Sequence, residues 1–181
     1  MSAPQQYTRT AIGFHWIIAL LIFATFGLGW FMTDIPGFTM AKLKYFSWHK
    51  WLGVTIFLLA VLRLLWRFFH MPPALANTIP KWQQLAAHVV HWALYILIFI
   101  IPLSGYFYSL AAGVQVVYLG RVPLPVLIQP NAELAEGLKQ LHIFLNYSLV
   151  FLLLAHVGAA LKHHLIDRDG TLARMLPFLK K

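Results

Sequence analysis

Four stretches of the chain stay apolar long enough to cross a bilayer, and polar or helix-breaking residues bound each of them. Ala11 to Met32 carries no charged residue, and some twenty residues at 1.5 Å each span about 30 Å of hydrocarbon. A signal peptide is disfavoured there, because the run is long, contains His15 and ends at Met32-Thr33-Asp34 without a small-residue cleavage site. Leu43 to Phe69 follows, flanked by Lys42, Lys44, Arg63 and Arg67, whose long side chains can snorkel to the interface. Met71-Pro72-Pro73 closes it. A short polar linker with Asn77, Pro80 and Lys81 leads to a third run from Trp82 to Ala111. Its Pro102 is expected to kink the helix, since neighbouring helices can satisfy the freed carbonyl. The last run, Leu141 to Leu161, is again uncharged. The pattern predicts transmembrane helices over about 9–32, 43–69, 82–111 and 138–165 in a single domain, 1–181: an all-α, integral membrane four-helix up-and-down bundle.

Ala112 to Gly137, with Arg121, Pro123, Pro125, Pro130, Glu133 and Glu136, reads as the longest loop. After the fourth run, His163-His164 leads into Asp167-Arg168-Asp169-Gly170 and a basic tail ending in Lys180-Lys181, expected to be a solvated, lipid-facing end with a short interfacial helix. Four spans put both termini on one side. Nine of the fourteen Lys and Arg fall there, against Lys42, Lys44, Lys50, Arg121 and Lys139 on the other, so the positive-inside rule places the termini in the cytoplasm.

Composition agrees with a membrane protein: 60% hydrophobic, 10% charged, mean hydropathy +0.71. A net charge of +9 raises the question of nucleic acid, but the basic residues lie between and beyond the apolar runs and read as topology signals and contacts to anionic lipid. With no cysteine, iron–sulfur ligation, C-x-x-C-H haem attachment and disulfides are excluded. Histidine or methionine must hold any redox centre.

The candidate chemistry lies in the histidines. His142 and His156 are fourteen residues apart in the last run, which returns to within about 40° of one azimuth and climbs about 21 Å. Ionisable groups inside a bilayer are costly and mark functional positions. Imidazole is a common iron ligand, and the spacing suggests two haems stacked along the membrane normal. His49 is the only other histidine in the outer half, so an outer haem has one possible pair, His49 with His142. The inner half offers His15, His88, His91 and His156. His156 shares the face of His142, and its partner is either His15 or His91. Gly53 lies one turn beyond His49, where a flat ring could approach the backbone. Gly29 and Gly105 each follow a His-Trp pair (His15-Trp16, His91-Trp92) by fourteen residues from the histidine, which puts both glycines at the depth of the outer haem.

Phe14-His15-Trp16, His49-Lys50-Trp51-Leu52-Gly53, His142 with His156, and Leu161-Lys162-His163-His164 with Leu172-Ala173-Arg174-Met175 together resemble the bacterial cytochrome b561 family, related to the di-haem cytochrome b subunits of nickel-iron hydrogenases and formate dehydrogenases. The resemblance covers nearly the whole chain. It implies two haems b per chain in a multi-pass protein of the bacterial inner membrane, with the inner haem on His15 and His156 and the outer on His49 and His142. That leaves His88 and His91 as supporting, quinone-site or packing residues. Two axial imidazoles close the iron and favour electron transfer over oxygen activation. Lys50, Lys139, Arg9 and Arg67 are candidate donors to the propionates.

The resemblance also implies a function: an oxidoreductase passing electrons from a small outer-side donor to ubiquinone or another quinone, the donor being superoxide in a family member of this size and layout. The alternative is a haem-bearing membrane anchor that conducts electrons for a separate dehydrogenase, hydrogenase or other periplasmic redox partner. A cofactor-free helical bundle would have to place four histidines at matched depths by chance. His163, seven residues past His156 and about 10 Å nearer the cytoplasm on nearly the same azimuth, is the candidate donor to a quinone oxygen, with His91 as a second quinone-site candidate.

Overall fold

A computed structural model describes residues 6–74 and 79–179; Asn77 of the linker and Lys180-Lys181 of the tail lie outside them. Four long helices account for most of the chain: α1 (Arg9–Asp34), α2 (Met40–Phe69), α3 (Lys81–Ala111) and α4 (Ala132–Lys162). Each is long and apolar enough to cross a membrane. Side-chain oxygens start three of them: Thr8 accepts from Ala11 N at 3.2 Å, Thr39 from Lys42 N at 3.1 Å and Asn131 from Leu134 N at 2.9 Å, each satisfying an amide that the first turn leaves without a partner. α3 starts after Pro80 and runs without a break through Pro102.

α3 packs most extensively against α4, α1 against α2, and then α2 against α3. The bundle is thus two helical hairpins joined along one seam, with a gap between them. Leu94, Leu97 and Leu149 form its small buried core, with Ile22, Ile101 and Leu153 packed around it. Elsewhere large apolar side chains such as Leu20, Phe23, Phe144, Phe151 and Leu154 point outward, as expected where the surrounding solvent is lipid and the apolar effect gives helices little reason to associate. Polar contacts between elements therefore matter here: Trp66 Nε1 donates to Thr8 Oγ1 at 2.9 Å, and Trp51 Nε1 to the Val117 carbonyl at 2.7 Å.

Two segments differ from expectation. The α3–α4 connection carries a small antiparallel hairpin, β1 (Val117–Tyr118) and β2 (Val122–Pro123), tied to α2 through Trp51 and by a 2.9 Å hydrogen bond between Thr55 Oγ1 and the Tyr118 hydroxyl. α4 begins at Ala132 because Asn131 caps it, so the last residues of the expected loop are helical. The tail, expected to be solvated and lipid-facing, folds back instead. α4 ends in one wide π turn, His163–Asp167, followed by 3₁₀ turns at Leu172–Arg174 and Pro177–Leu179. Ala173 is buried, Trp16 Nε1 donates to the Met175 carbonyl at 2.9 Å, and Arg174 donates to the Ala74 carbonyl at 2.6 Å. The tail thereby caps the end of the bundle opposite the hairpin.

Candidate functional site

The gap between the helical hairpins holds the histidines. Toward the β-hairpin end, His49 of α2 faces His142 of α4 with ring centroids 6.2 Å apart. Toward the tail end, His15 of α1 faces His156 of α4, again at 6.2 Å. Two imidazoles bonded from opposite sides to one metal at about 2.0 Å would have centroids about 6 Å apart, so each pair could hold an iron between its rings. His91 of α3 is closer to His156, at 5.3 Å, and lies on an exposed edge of its helix. His88 and His91 line a small hollow with Arg67 and Tyr95.

The backbone fixes the rings of the first pair. His49 Nδ1 lies 3.1 Å from the Thr25 carbonyl, and His142 Nδ1 lies 3.1 Å from the Ile101 carbonyl and 2.9 Å from Ser104 Oγ. A carbonyl only accepts, so both Nδ1 atoms carry the proton and each neutral ring keeps its Nε2 lone pair free for a metal, the outer-shell arrangement typical of histidine ligands. Glycine makes this approach possible. Thr25 and Ile101 stand four residues before Gly29 and Gly105, and a Cβ on Gly29 would lie 3.1 Å from His49 Cε1, on Gly105 3.0 Å from His142 Cε1. The two glycines do sit at the depth of this pair, and what they make room for is an imidazole reaching a helix carbonyl.

Beside these rings opens a cavity of about 960 Å³ of atom-free space, part of it open to the outside, lined among others by His49, His142, Lys50, Gly53, Phe46 and Asn146. Nothing lies within 4 Å of where a Gly53 Cβ would be, which leaves α2 open to a flat group at that face. The predominantly apolar wall, two inward lone pairs and one cation suit a macrocycle with axial nitrogens and acidic substituents.

The second pair is held differently. Arg63 of α2, which the flanking-cation reading turned outward, points inward: its Nη2 is 3.3 Å from His15 Nδ1 and its guanidinium lies over the Tyr95 ring at 5.3 Å. Among the described residues no carboxylate pairs with it. Arg67 also lies over Tyr95, at 5.6 Å. The sequence offered no local signal for Arg63, since only the fold shows which face of α2 meets His15. Of the other cations considered, Lys50 lines the cavity, whereas Lys139 pairs with Glu136 at 3.2 Å on the surface.

Beyond His156, at the start of the π turn, His163 is nearly buried and its Nδ1 lies 2.7 Å from Asp169 Oδ2 and 3.1 Å from Asp167 Oδ2.

Residues 6–178 match the family described as prokaryotic cytochrome b561. Two relatives from Escherichia coli (strain K12) are similar over nearly their full length: "Cytochrome b561 homolog 2" is 34% identical across 97% of this chain and 93% of its own, and "Cytochrome b561 homolog 1" is 30% identical across 95% and 97%. "Probable superoxide oxidase CybB" of Yersinia pestis is 32% identical across 96% of this chain and 97% of its own. With four membrane-length helices around facing histidines, the chain belongs to the prokaryotic cytochrome b561 family, whose members are multi-pass membrane electron carriers containing haem b.

Proposed function

We propose that the chain carries electrons across the membrane from superoxide on the hairpin side to a quinone on the tail side, through two haems b held by His49 with His142 and by His15 with His156. The observation that carries this reading is the repeat of one geometry at both ends of the bundle: two facing histidine pairs, each 6.2 Å between ring centroids. When bound, each haem would supply a one-electron centre, and with two histidines holding it that centre would suit passing electrons rather than binding oxygen. The protein orients the axial rings, keeps the centres in a low dielectric and supplies cations for the propionates, Lys50 at the hairpin end and Arg63 at the tail end. Ligation by His15 Nε2 requires that ring's proton to sit on Nδ1, which releases Arg63 from it for that role. The excess of basic over acidic residues in the hairpin-side loops favours an anionic donor, and the superoxide oxidase name of the Yersinia relative supports superoxide. The tail side is the cytoplasmic one by its share of Lys and Arg. There His163 would hydrogen-bond a quinone oxygen and take part in the proton uptake that accompanies two-electron reduction.

Haem titration of single-histidine variants tests the ligand pairs. His49→Ala and His142→Ala should each lose one haem, His15→Ala and His156→Ala the other, while His91→Ala keeps both. Loss of a haem in His91→Ala with both retained in His15→Ala would overturn the pairing. Quinone reduction by the isolated protein under pulsed superoxide tests the reaction. An anchor for a separate dehydrogenase would show reducible haems and no superoxide-driven quinone reduction.

A further inference from the structure

The turn after α4 performs a specific piece of geometry. Had the helix continued, residue 169 would stand about 240° around and about 9 Å along from His163. Instead the backbone opens into a π turn over His163–Asp167, Arg168 adopts a left-handed conformation at φ +52°, and Gly170 follows at φ +76°. The amides of Arg168 and Asp169 both donate back to the His163 carbonyl, the latter at 3.3 Å. A non-glycine residue at such a φ is uncommon and costs energy that the surroundings must supply. The turn brings the Asp169 carboxylate onto the His163 ring.

Both oxygens of that carboxylate are engaged. Oδ1 accepts from the Thr171 amide at 2.9 Å, and Oδ2 lies 2.7 Å from His163 Nδ1. The two side chains are only 15% and 12% exposed. Burial would raise the Asp169 carboxyl, but hydrogen bonds from Thr171 and the neighbouring His163 outweigh it and hold the group below its ordinary value, so it is ionised at neutral pH. Asp167 stands in a different relation: its Oδ2 is 3.1 Å from the same nitrogen but is drawn to Lys162 Nζ at 2.6 Å, a neighbour within the same turn. With Lys162 already neutralising Asp167, Asp169 is the acceptor that defines the ring. The docked tail, through Trp16 to Met175 and Arg174 to Ala74, holds the segment in place.

We propose that Asp169 is the positioning residue for quinone reduction, fixing the proton of neutral His163 on Nδ1 so that Nε2 is the nitrogen that exchanges protons with the quinone. This rests on the reading of His163 as the quinone's hydrogen-bond partner. Nε2 takes a proton from cytoplasmic water, the imidazolium so formed is stabilised by the Asp169 carboxylate, and Nε2 then passes that proton to a quinone oxygen. With two electrons delivered from the donor side and a second proton reaching the opposite quinone oxygen from water, quinone becomes quinol, and His163 returns to its neutral Nδ1–H form. The logic is that of a carboxylate orienting a general acid–base histidine. An asparagine at 169 can turn its amide to donate to Nδ1, which moves the ring proton to Nε2.

The test uses the haem-loaded, full-length protein in detergent with a soluble ubiquinone analogue. Asp169→Asn should lower kcat for quinone reduction by roughly ten- to a hundredfold with little change in KM and both haems retained, Asp169→Glu should recover part of it, and Asp167→Asn should change little. Wild-type kcat in Asp169→Asn beside a crippled His163→Ala would overturn the positioning role and leave the quinone reading standing. Full quinone reduction in His163→Ala would overturn that reading and the role with it. Because Asp169 variants could disturb the tail, ¹⁵N NMR of histidine-labelled wild-type protein, with the signal assigned by its loss in His163→Gln, gives an independent measurement. A proton on Nδ1 supports the proposal, and a proton on Nε2 in the wild type overturns it.

Discussion

Replacing Gly105 by alanine is the sharpest probe of the hairpin-side site, because the whole effect comes from one methyl group. The added Cβ would lie 3.0 Å from His142 Cε1, 3.3 Å from Nδ1 and 3.6 Å from Nε2. Carbon atoms rest at about 3.5–4.0 Å, so the ring must retreat by about 0.5 Å. It cannot do so freely, since Nδ1 is held to the Ile101 carbonyl at 3.1 Å and to Ser104 Oγ at 2.9 Å. Stretching these contacts forfeits about 0.5–1.5 kcal/mol of hydrogen bonding, and crowding a packed site costs about 1–3 kcal/mol. Against this, alanine improves helix propensity by about 1 kcal/mol. The net is a destabilised His142 position of about 0.5–3.5 kcal/mol, roughly a two- to three-hundredfold loss in affinity for a ligand held there.

Haem content per chain and the low-spin absorption of purified protein give the readout. Gly105→Ala should lose most of one haem and keep the other, and Gly29→Ala, with its Cβ 3.1 Å from His49 Cε1, should show a smaller form of the same defect. Gly27→Ala is the control, because its Cβ meets nothing within 4 Å. If Gly105→Ala matched Gly27→Ala in haem content, spectrum and thermal stability, the idea that these glycines open the carbonyls to the histidines would be wrong.

Trp51→Phe removes the donor to the Val117 carbonyl and should weaken docking of the β-hairpin by about 1 kcal/mol; amide exchange over Val117–Pro123 should quicken with both haems in place, and unchanged exchange would refute the docking role. Trp16→Phe deletes the hydrogen bond to Met175 and should loosen the tail, slowing quinone reduction while superoxide still reduces the haems; an unaltered quinone rate would show that the tail does not serve that end of the bundle.

Helix number and histidine depth were legible because they depend on local chemistry and on one period. Twenty uncharged residues have a single stable form in lipid, and a fourteen-residue spacing on α4 fixes a shared face whatever the rest of the chain does. The remaining features rest on partners far away in sequence. Trp16 reaches Met175 across 159 residues, so the tail read as a free basic end. Arg63 read as a snorkelling flank because nothing in its neighbourhood announces His15, 48 residues earlier. The hairpin turn was hidden for another reason: Leu119 takes a positive φ of 52° ahead of Gly120, in a conformation that sequence signals assign to Asn, Asp or Gly. The extra length of α4 had a visible cue, Asn131 with Glu133 in the first turn, outweighed by Pro130 and the polar run that follows.

The two ends of the bundle hold their histidines by different partners. At the hairpin end, helix carbonyls hold both Nδ1 protons, so in the proposed haem site these rings would exchange no proton when an electron arrives. At the tail end the histidines sit among arginines and tyrosine, and the same face of α4 continues by seven residues to His163, whose partner is an ionised carboxylate rather than a carbonyl. A hydrogen bond to an ionised carboxylate is the stronger of the two kinds. In the proposed function, α4 and the π turn that follows it would carry two electron-passing positions, 142 and 156, and one proton-passing position, 163. In the proposed reaction, electron and proton delivery converge at the end capped by the tail, because reducing a quinone requires both.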